Sequence, residues 1–79
     1  MAVKAFVLIQ TEIEAAKTTD IVTVLKEQGG EIKSVDAVTG PYDIIAVIEV
    51  ETIEKIDTVL NDKIHSITGV QRTVTCLTI

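Results

Sequence analysis

Aromatic side chains are nearly absent from this sequence: Phe6 and Tyr42 make up the whole 3%. A core without Trp must be assembled from Val, Ile, Leu and Ala, and a hydrophobic share of 47% supplies enough of them for a folded domain. Cysteine is equally scarce. Cys76 stands alone, so no intramolecular disulfide staples the fold. No apolar run approaches the roughly 18 residues needed to span a bilayer. No leader pattern opens the chain either, because Met1-Ala2-Val3-Lys4 runs straight into a strand pattern. These two absences predict a soluble cytoplasmic protein. Positive charge is short as well: 7 Lys plus Arg stand against 12 Asp plus Glu, for a net charge of −5. Nucleic-acid binding and polybasic membrane anchoring both need a basic cluster. The sequence has none, which argues against both.

Catalytic and metal-binding side chains are also thin. His65 is the single histidine, and no cysteine or second histidine stands at ligand spacing, so no metal centre is expected. It falls near the end of a predicted helix, where a cation complements the helix dipole, and reads as a surface residue. Cys76 has Thr75 and Leu77 as neighbours, neither of which activates a thiol, and reads as a small core residue. Gly29-Gly30 lacks the spacing of a phosphate loop and follows a helix, so it reads as a helix stop. Asp36 and Asp43 come near one another across a predicted hairpin. Nothing in their surroundings indicates the burial that would split their pKa values, so they read as solvated carboxylates. No catalytic residue and no cofactor is assigned, and the chain is not read as an enzyme.

The 79 residues suffice for one domain, 1–79. Val3 to Gln10 is apolar on both parities, as a strand buried on both faces is. A helix follows, with Thr11 as N-cap, Glu12 and Glu14 at its positive end, and Ala15, Thr18, Ile21, Val22 and Leu25 at steps of three and four. Lys26 lies in its last turn and Gly29-Gly30 ends it. Glu31 to Thr39 carries polar residues on both parities and predicts an edge strand. Gly40-Pro41-Tyr42-Asp43 is a turn. Ile44 to Val50 is again apolar on both parities. Thr52 is the expected N-cap of a second helix whose face is Ile53, Ile56, Leu60, Ile64 and Ile67, with Val59 beside it. Gly69 ends that helix, and Val70 to Ile79 is the last strand.

The order β-α-β-β-α-β predicts an α+β, ferredoxin-like fold. Its antiparallel sheet has the order 4-1-3-2, with two helices on one face. That order makes the first and third strands central, and those are the two that are apolar on both parities. The face away from the helices is therefore apolar too, which predicts a face-to-face dimer. The alternative is a monomer in which short side chains such as Ala5 and Ala46 make the bare face tolerable.

The turn concentrates a glycine, the single proline, the single tyrosine and an aspartate. A plain hairpin turn accounts for these residue types. They also suit a polar pocket edge, in which an aspartate pairs with an α-ammonium group and backbone N–H groups receive a carboxylate. Such a pocket fits a free amino acid.

Two stretches carry a family resemblance. Val38-Thr39-Gly40-Pro41-Tyr42-Asp43-Ile44-Ile45 and Gly69-Val70-Gln71-Arg72-Thr73-Val74-Thr75 closely resemble the effector-binding domain of the Lrp/AsnC (feast/famine) regulators, the RAM domain. The likeness covers essentially the whole chain. It implies a dimeric α/β barrel that assembles further, into tetramers or octamers, with amino acids bound near the turn between the second and third strands. Carried over by motif, Gly40, Pro41, Tyr42 and Asp43 would lie at that pocket, with Thr73 and Thr75 on the last strand. The helix-turn-helix of the family's usual members does not precede the first strand, so the resemblance implies a stand-alone effector domain. Full-length Lrp/AsnC regulators are then its expected partners, and it would modulate transcription without touching DNA. Two other readings fit the same fold: a small monooxygenase or isomerase on a dimeric barrel, and a structural assembly subunit without ligand.

Overall fold

The computed structural model describes residues 2–12 and 18–79. Among them run strand β1 (Val3–Thr11), helix α1 (Thr18–Gln28), strands β2 (Ile32–Ala37) and β3 (Ile44–Val50), helix α2 (Glu54–Val59) with a π-helical turn Leu60–Ile64 after it, and strand β4 (Val70–Leu77). The sheet is antiparallel in the order β2-β3-β1-β4, so the two doubly apolar strands are the central ones. This is the expected ferredoxin-like topology. Glu14 and Ala15, assigned above to the first helix, lie outside the described residues.

Pairing fixes which side chains share a face. β1 and β3 run in register from Val3↔Val50 to Ile9↔Ile44. Ala5, Val7 and Ile9 of β1 and Ile44, Ala46 and Ile48 of β3 are buried in one cluster with Ile21 and Leu25 of α1 and with Ile56, Val59, Leu60 and Ile64. Ile21 and Leu25 stand four apart and so share one side of α1. The helices therefore cover the face bearing Ala5 and Ala46. Both alanines are fully buried, and they do not line the bare face as the monomer alternative required.

The opposite parity emerges on the uncovered face. Phe6 pairs with Val47 and Cys76, and Leu8 pairs with Ile45 and Val74. Directly opposed side chains lie about 5 Å apart, so these six residues form one apolar patch. Lys4↔Glu49 bounds it at one end and Gln10↔Arg72 at the other. The Lys4 ammonium sits 5.3 Å from the centre of the Phe6 ring, a cation over an aromatic face. Phe6 remains 37% exposed. Cys76 belongs to this patch and is exposed in the single chain. The core position expected for it is wrong by one parity, since the core residue beside it on β1 is Ala5 or Val7, not its partner Phe6.

The element ends correct several local expectations. Thr11 is no helix cap; it is the buried last residue of β1. The N-cap of α2 is Ile53 and not Thr52, with no side-chain cap, and the Thr52 carbonyl merely accepts the Lys55 N–H. Ile53 precedes the helix and is 58% exposed, so the buried helical face begins with Ile56. The second helix is not one uninterrupted α-helix either. The His65 N–H bonds the Leu60 carbonyl at 2.7 Å, a step of five residues. The stop after α1 is as expected: Gly29 and Gly30 have φ of +60° and +59°, a conformation that strains any residue with a Cβ.

Beyond that stop, Lys63 Nζ donates to Glu31 Oε1 at 2.6 Å and ties the π-helical turn to the start of β2. The Lys63 hydrogen bond and charge hold the Glu31 carboxyl below the usual carboxylate range. A lowered folded pKa means a stabilising contribution that is present above the ordinary carboxylate range and is lost as pH falls through the lowered value. Thermal melts of the wild type and Lys63→Met should therefore differ near neutral pH and converge in acid. Curves that stay parallel through acid pH would show that the pair contributes nothing through Glu31 ionisation.

Candidate functional site

The end of β1 is held from both sides. On one side the β2–β3 loop closes through the Val38 N–H on the Asp43 carbonyl at 2.8 Å. The Asp43 N–H then donates to the Ile9 carbonyl at 2.9 Å. Asp43 Oδ2 accepts the Thr11 N–H at 2.9 Å and the Thr11 hydroxyl at 3.1 Å. On the other side the Glu12 N–H donates to the Gly69 carbonyl at 2.8 Å, and Thr11 faces Val70 at the start of β4. A carboxylate accepting an amide N–H and a hydroxyl is a charge-assisted pair, stronger than neutral hydrogen bonds. It explains how a loop with a glycine and a proline is kept in one place.

Gly40, Pro41, Tyr42 and Asp43 thus sit together at one end of the sheet. Gly40 and Pro41 are exposed, and Tyr42 and Asp43 are half-buried. Gly40 has φ of +129°, where a side chain is strained, although a Cβ there would meet nothing within 4 Å. The glycine is required by backbone conformation and not by crowding. The solvated position expected for Asp43 is a misreading, since it is half-buried and hydrogen-bonded, whereas the one expected for Asp36 agrees with its exposure. Asp43 belongs to the Thr11 tie, while Asp36 is exposed on β2 opposite Ile45.

Thr73 pairs with Ile9, which itself pairs with Ile44, so Thr73 lies at the same end two strands from the loop. Two strand spacings are roughly 10 Å. Thr75 pairs with Val7, about 7 Å further along the strand. The structure therefore groups Thr73 with the loop and leaves Thr75 in mid-sheet. Both threonines fall on the parity that faces the helices and are half-buried. Sequence reasoning missed two members of this end. Thr11 is bound to a residue 32 positions away. His65 Nε2 lies 2.9 Å from Thr73 Oγ1, placed there by the π-helical turn.

A cleft of about 380 Å³ opens beside Thr73, lined also by His65, Val70, Gln71 and Arg72. A second, of about 390 Å³, lies at the far end of the sheet among Glu31, Lys33, Glu49, Glu51 and Lys55. Among the described residues no group of three His, Cys, Asp or Glu side chains could hold a metal ion, and no helix is long and apolar enough to cross a membrane.

The Asp43–Thr11 tie makes a specific prediction. Asp43→Ala leaves the buried Thr11 N–H without its acceptor, a change that costs about 1–3 kcal/mol. Urea unfolding should register that loss, and hydrogen exchange should quicken at the Thr11 amide. Asp43→Asn keeps an oxygen acceptor and should recover most of the stability. An Asp43→Ala protein as stable as wild type would show that the tie does not hold the loop.

The sequence profile of the Lrp/AsnC ligand binding domain matches residues 4–79. Among solved structures, TTHA0845 from Thermus thermophilus has 32% identity and a TM-score of 0.86, covering 98% of this chain and 92% of that one. AsnC of E. coli has 25% identity and a TM-score of 0.78, covering 98% of this chain and 50% of its own. The transcriptional regulator NMB0573 of Neisseria meningitidis, solved as its L-Met complex, shares the fold with a TM-score of 0.83 at 18% identity, over 98% of this chain and 49% of its own. No match is found among curated proteins. With the profile spanning residues 4–79 and the fold shared over 98% of the chain, the chain belongs to the Lrp/AsnC ligand-binding domain family, an effector-binding regulatory domain.

Proposed function

We propose that this domain binds a free α-amino acid at the Gly40–Asp43 loop and that binding is coupled to self-association. The observation that carries the reading is the way Asp43 is used. One carboxylate oxygen, Oδ2, anchors the loop to Thr11. Among the described residues no hydrogen bond engages the other, Oδ1, and in this reading it pairs with an α-ammonium group. Backbone N–H groups around Gly40 receive the α-carboxylate, Pro41 fixes the course of the loop, and the Tyr42 ring packs against the ligand side chain. Thr73 contributes a hydroxyl from β4, and Thr75 stands further from the ligand. The L-Met complex of the Neisseria regulator is in keeping with this ligand class on this fold.

The apolar patch of Phe6, Leu8, Ile45, Val47, Val74 and Cys76 supports face-to-face pairing of two sheets into a dimeric α/β barrel. Fully burying a Phe, Leu, Ile or Val side chain contributes about 1.5–3 kcal/mol, so such a patch favours a two-fold partner with the same patch. Assembly beyond the dimer, to tetramers or octamers, then completes the pocket at the loop. A net charge of −5 with no basic cluster is consistent with a domain that does not contact DNA itself. It regulates by co-assembling with full-length DNA-binding relatives.

Calorimetry against the twenty amino acids should find at least one saturating at millimolar concentration or below. Asp43→Asn keeps the Thr11 tie but removes the charge that pairs with the ammonium. It should weaken binding about 10- to 100-fold, which corresponds to a charge-assisted hydrogen bond of about 1.5–3 kcal/mol. Diluting the protein should weaken binding as well. Silence from all twenty would overturn the ligand class.

Light scattering should give a dimer or larger at micromolar concentration. Phe6→Glu should shift it to monomer without unfolding it. In the wild type, Cys76 should react slowly with a thiol reagent and react faster on dilution or in Phe6→Glu. A monomeric wild type with a freely reactive Cys76 would overturn the pairing.

A further inference from the structure

We propose that Lys4, Glu49, Arg72 and Asp36 select the occupant of the bare sheet face: a second copy of this chain, seated so that Lys4 meets the partner's Glu49 and Arg72 comes beside the partner's Asp36. This docking rests on the face-to-face pairing proposed above and adds which way round the second copy sits.

The strand registers map the face. Lys4 and Glu49 oppose one another at one end of the apolar patch, and Arg72 opposes Gln10 at the other. On the β2 flank, Ser34 opposes Val47 and Asp36 opposes Ile45. Each of the four charged residues thus shares the parity of the patch, and all four are exposed. Lys4 does not close on its neighbour Glu49. Its ammonium lies over the Phe6 ring, toward the patch. Among the described residues only Lys63 and Glu31 form an ion pair, so none of the four is held by an opposite charge within the chain.

Sheets packed face to face lie about 10 Å apart with their strands nearly aligned. A side chain therefore meets whatever the two-fold axis sets opposite it. An axis across the strands lays each strand on its own copy with the ends exchanged. Lys4 then meets the level of Gln10, and Asp36 that of Ser34. Arg72 meets the level of Thr78, whose N–H bonds the Lys4 carbonyl. No charge finds its opposite. An axis along the strands and over β1 sets Lys4 against Lys4 and leaves β2 uncovered. An axis along the strands and between β1 and β3 lays β1 on the partner's β3 and β4 on the partner's β2. Lys4 then meets Glu49 at its own level, twice by symmetry. Arg72 lies over the edge that bears Asp36, about two residues or 7 Å along the strand, a distance its long side chain spans. Only this placement gives each charge its opposite. Charges around an interface set orientation and reject wrong partners more than they add affinity. The patch supplies the hold, and a relative joins through this face only if it repeats the charge pattern.

Charge exchange tests the arrangement. Lys4→Glu opposes two carboxylates across the interface and Glu49→Lys opposes two ammonium groups, while a mixture of the two chains pairs opposite charges at both contacts. Arg72→Asp and Asp36→Arg form a second set. Each variant alone should raise the dimer dissociation constant about 10-fold or more. Native mass spectrometry, with one member of each set isotope-labelled, separates mixed dimers from homodimers. Both mixtures should give the mixed dimer at concentrations where each variant alone is monomeric. The crossed mixture of Lys4→Glu with Asp36→Arg has the same net charges and should not. Like charges on neighbouring strands also strain the single chain in the first set, and thermal melts show whether it folds. Arg72 and Asp36 stand on opposite edges of the sheet and carry no such strain. In folded chains, single variants as dimeric as the wild type, a matched mixture that stays monomeric, or equal recovery in the crossed mixture would each overturn the ion pairs. A monomeric wild type overturns the face-to-face pairing itself, whereas a dimeric wild type whose matched mixtures fail overturns the ion pairs alone.

Discussion

The pairing of β1 with β3 is the constraint on which the rest of the domain depends. It runs without interruption from Val3↔Val50 to Ile9↔Ile44. Side chains alternate across a sheet with a period of two, so one register assigns both faces together. The core side matches small with large: Ala5 opposes Ile48, and Ala46 opposes Val7. A slip of one residue would drive Phe6 and Leu8 beneath the helices and turn Ala5 and Val7 outward. The helical face would then be overpacked, and overpacking a core costs about 1–3 kcal/mol. Volume as well as hydrophobicity therefore selects the register, in strands where apolar residues on both parities could not select it alone.

The same pairing leads to the site. β1 ends at Thr11, where β3 begins beside it and β4 begins on its other flank. Loops at strand ends carry function when a rigid scaffold positions them. Here the positioning is done by Asp43, which contributes backbone and side chain to the hold on β1. An aspartate at this point serves the fold whether or not a ligand is present. For that reason alanine at position 43 is a poor probe of binding, and asparagine separates the two roles.

Much of this was legible in the residues. Apolar runs on both parities marked the central strands, polar residues on both parities marked β2 as an edge, and Gly29-Gly30 marked the end of α1. The turn and its aspartate were visible for the same reason, because glycine, proline and aspartate punctuate a chain locally. What the residues did not reveal was long-range or dependent on parity. Thr11 precedes Glu12 and looks like a helix cap until the carboxylate of Asp43 is known to lie beside it. Cys76 looked like a core residue because cysteine tends to be buried. Its face is set by pairing with Phe6, which no local pattern states. The π-helical turn leaves the steps from Ile56 to Leu60 to Ile64 unchanged, so hydrophobic spacing gives no sign of it. The contact between His65 and Thr73 followed from that turn and was invisible with it.

Coupling between ligand and assembly has a thermodynamic requirement that the architecture bears on. A ligand shifts an equilibrium only by the difference in its affinity for the two states. A pocket closed within one chain would bind equally well in monomer and oligomer and would shift nothing. The Gly40–Asp43 loop presents Gly40 and Pro41 on the outside of the chain, and neither of the two clefts described above takes in any of the four loop residues. A ligand seated on such a loop gains contacts when another subunit covers it. The apolar patch lies on the same strand, since Leu8 and Gln10 alternate with Ile9 and Thr11 along β1. The apolar patch and the anchors of the loop, Ile9 and Thr11, thus alternate along one central strand, and a single register sets both.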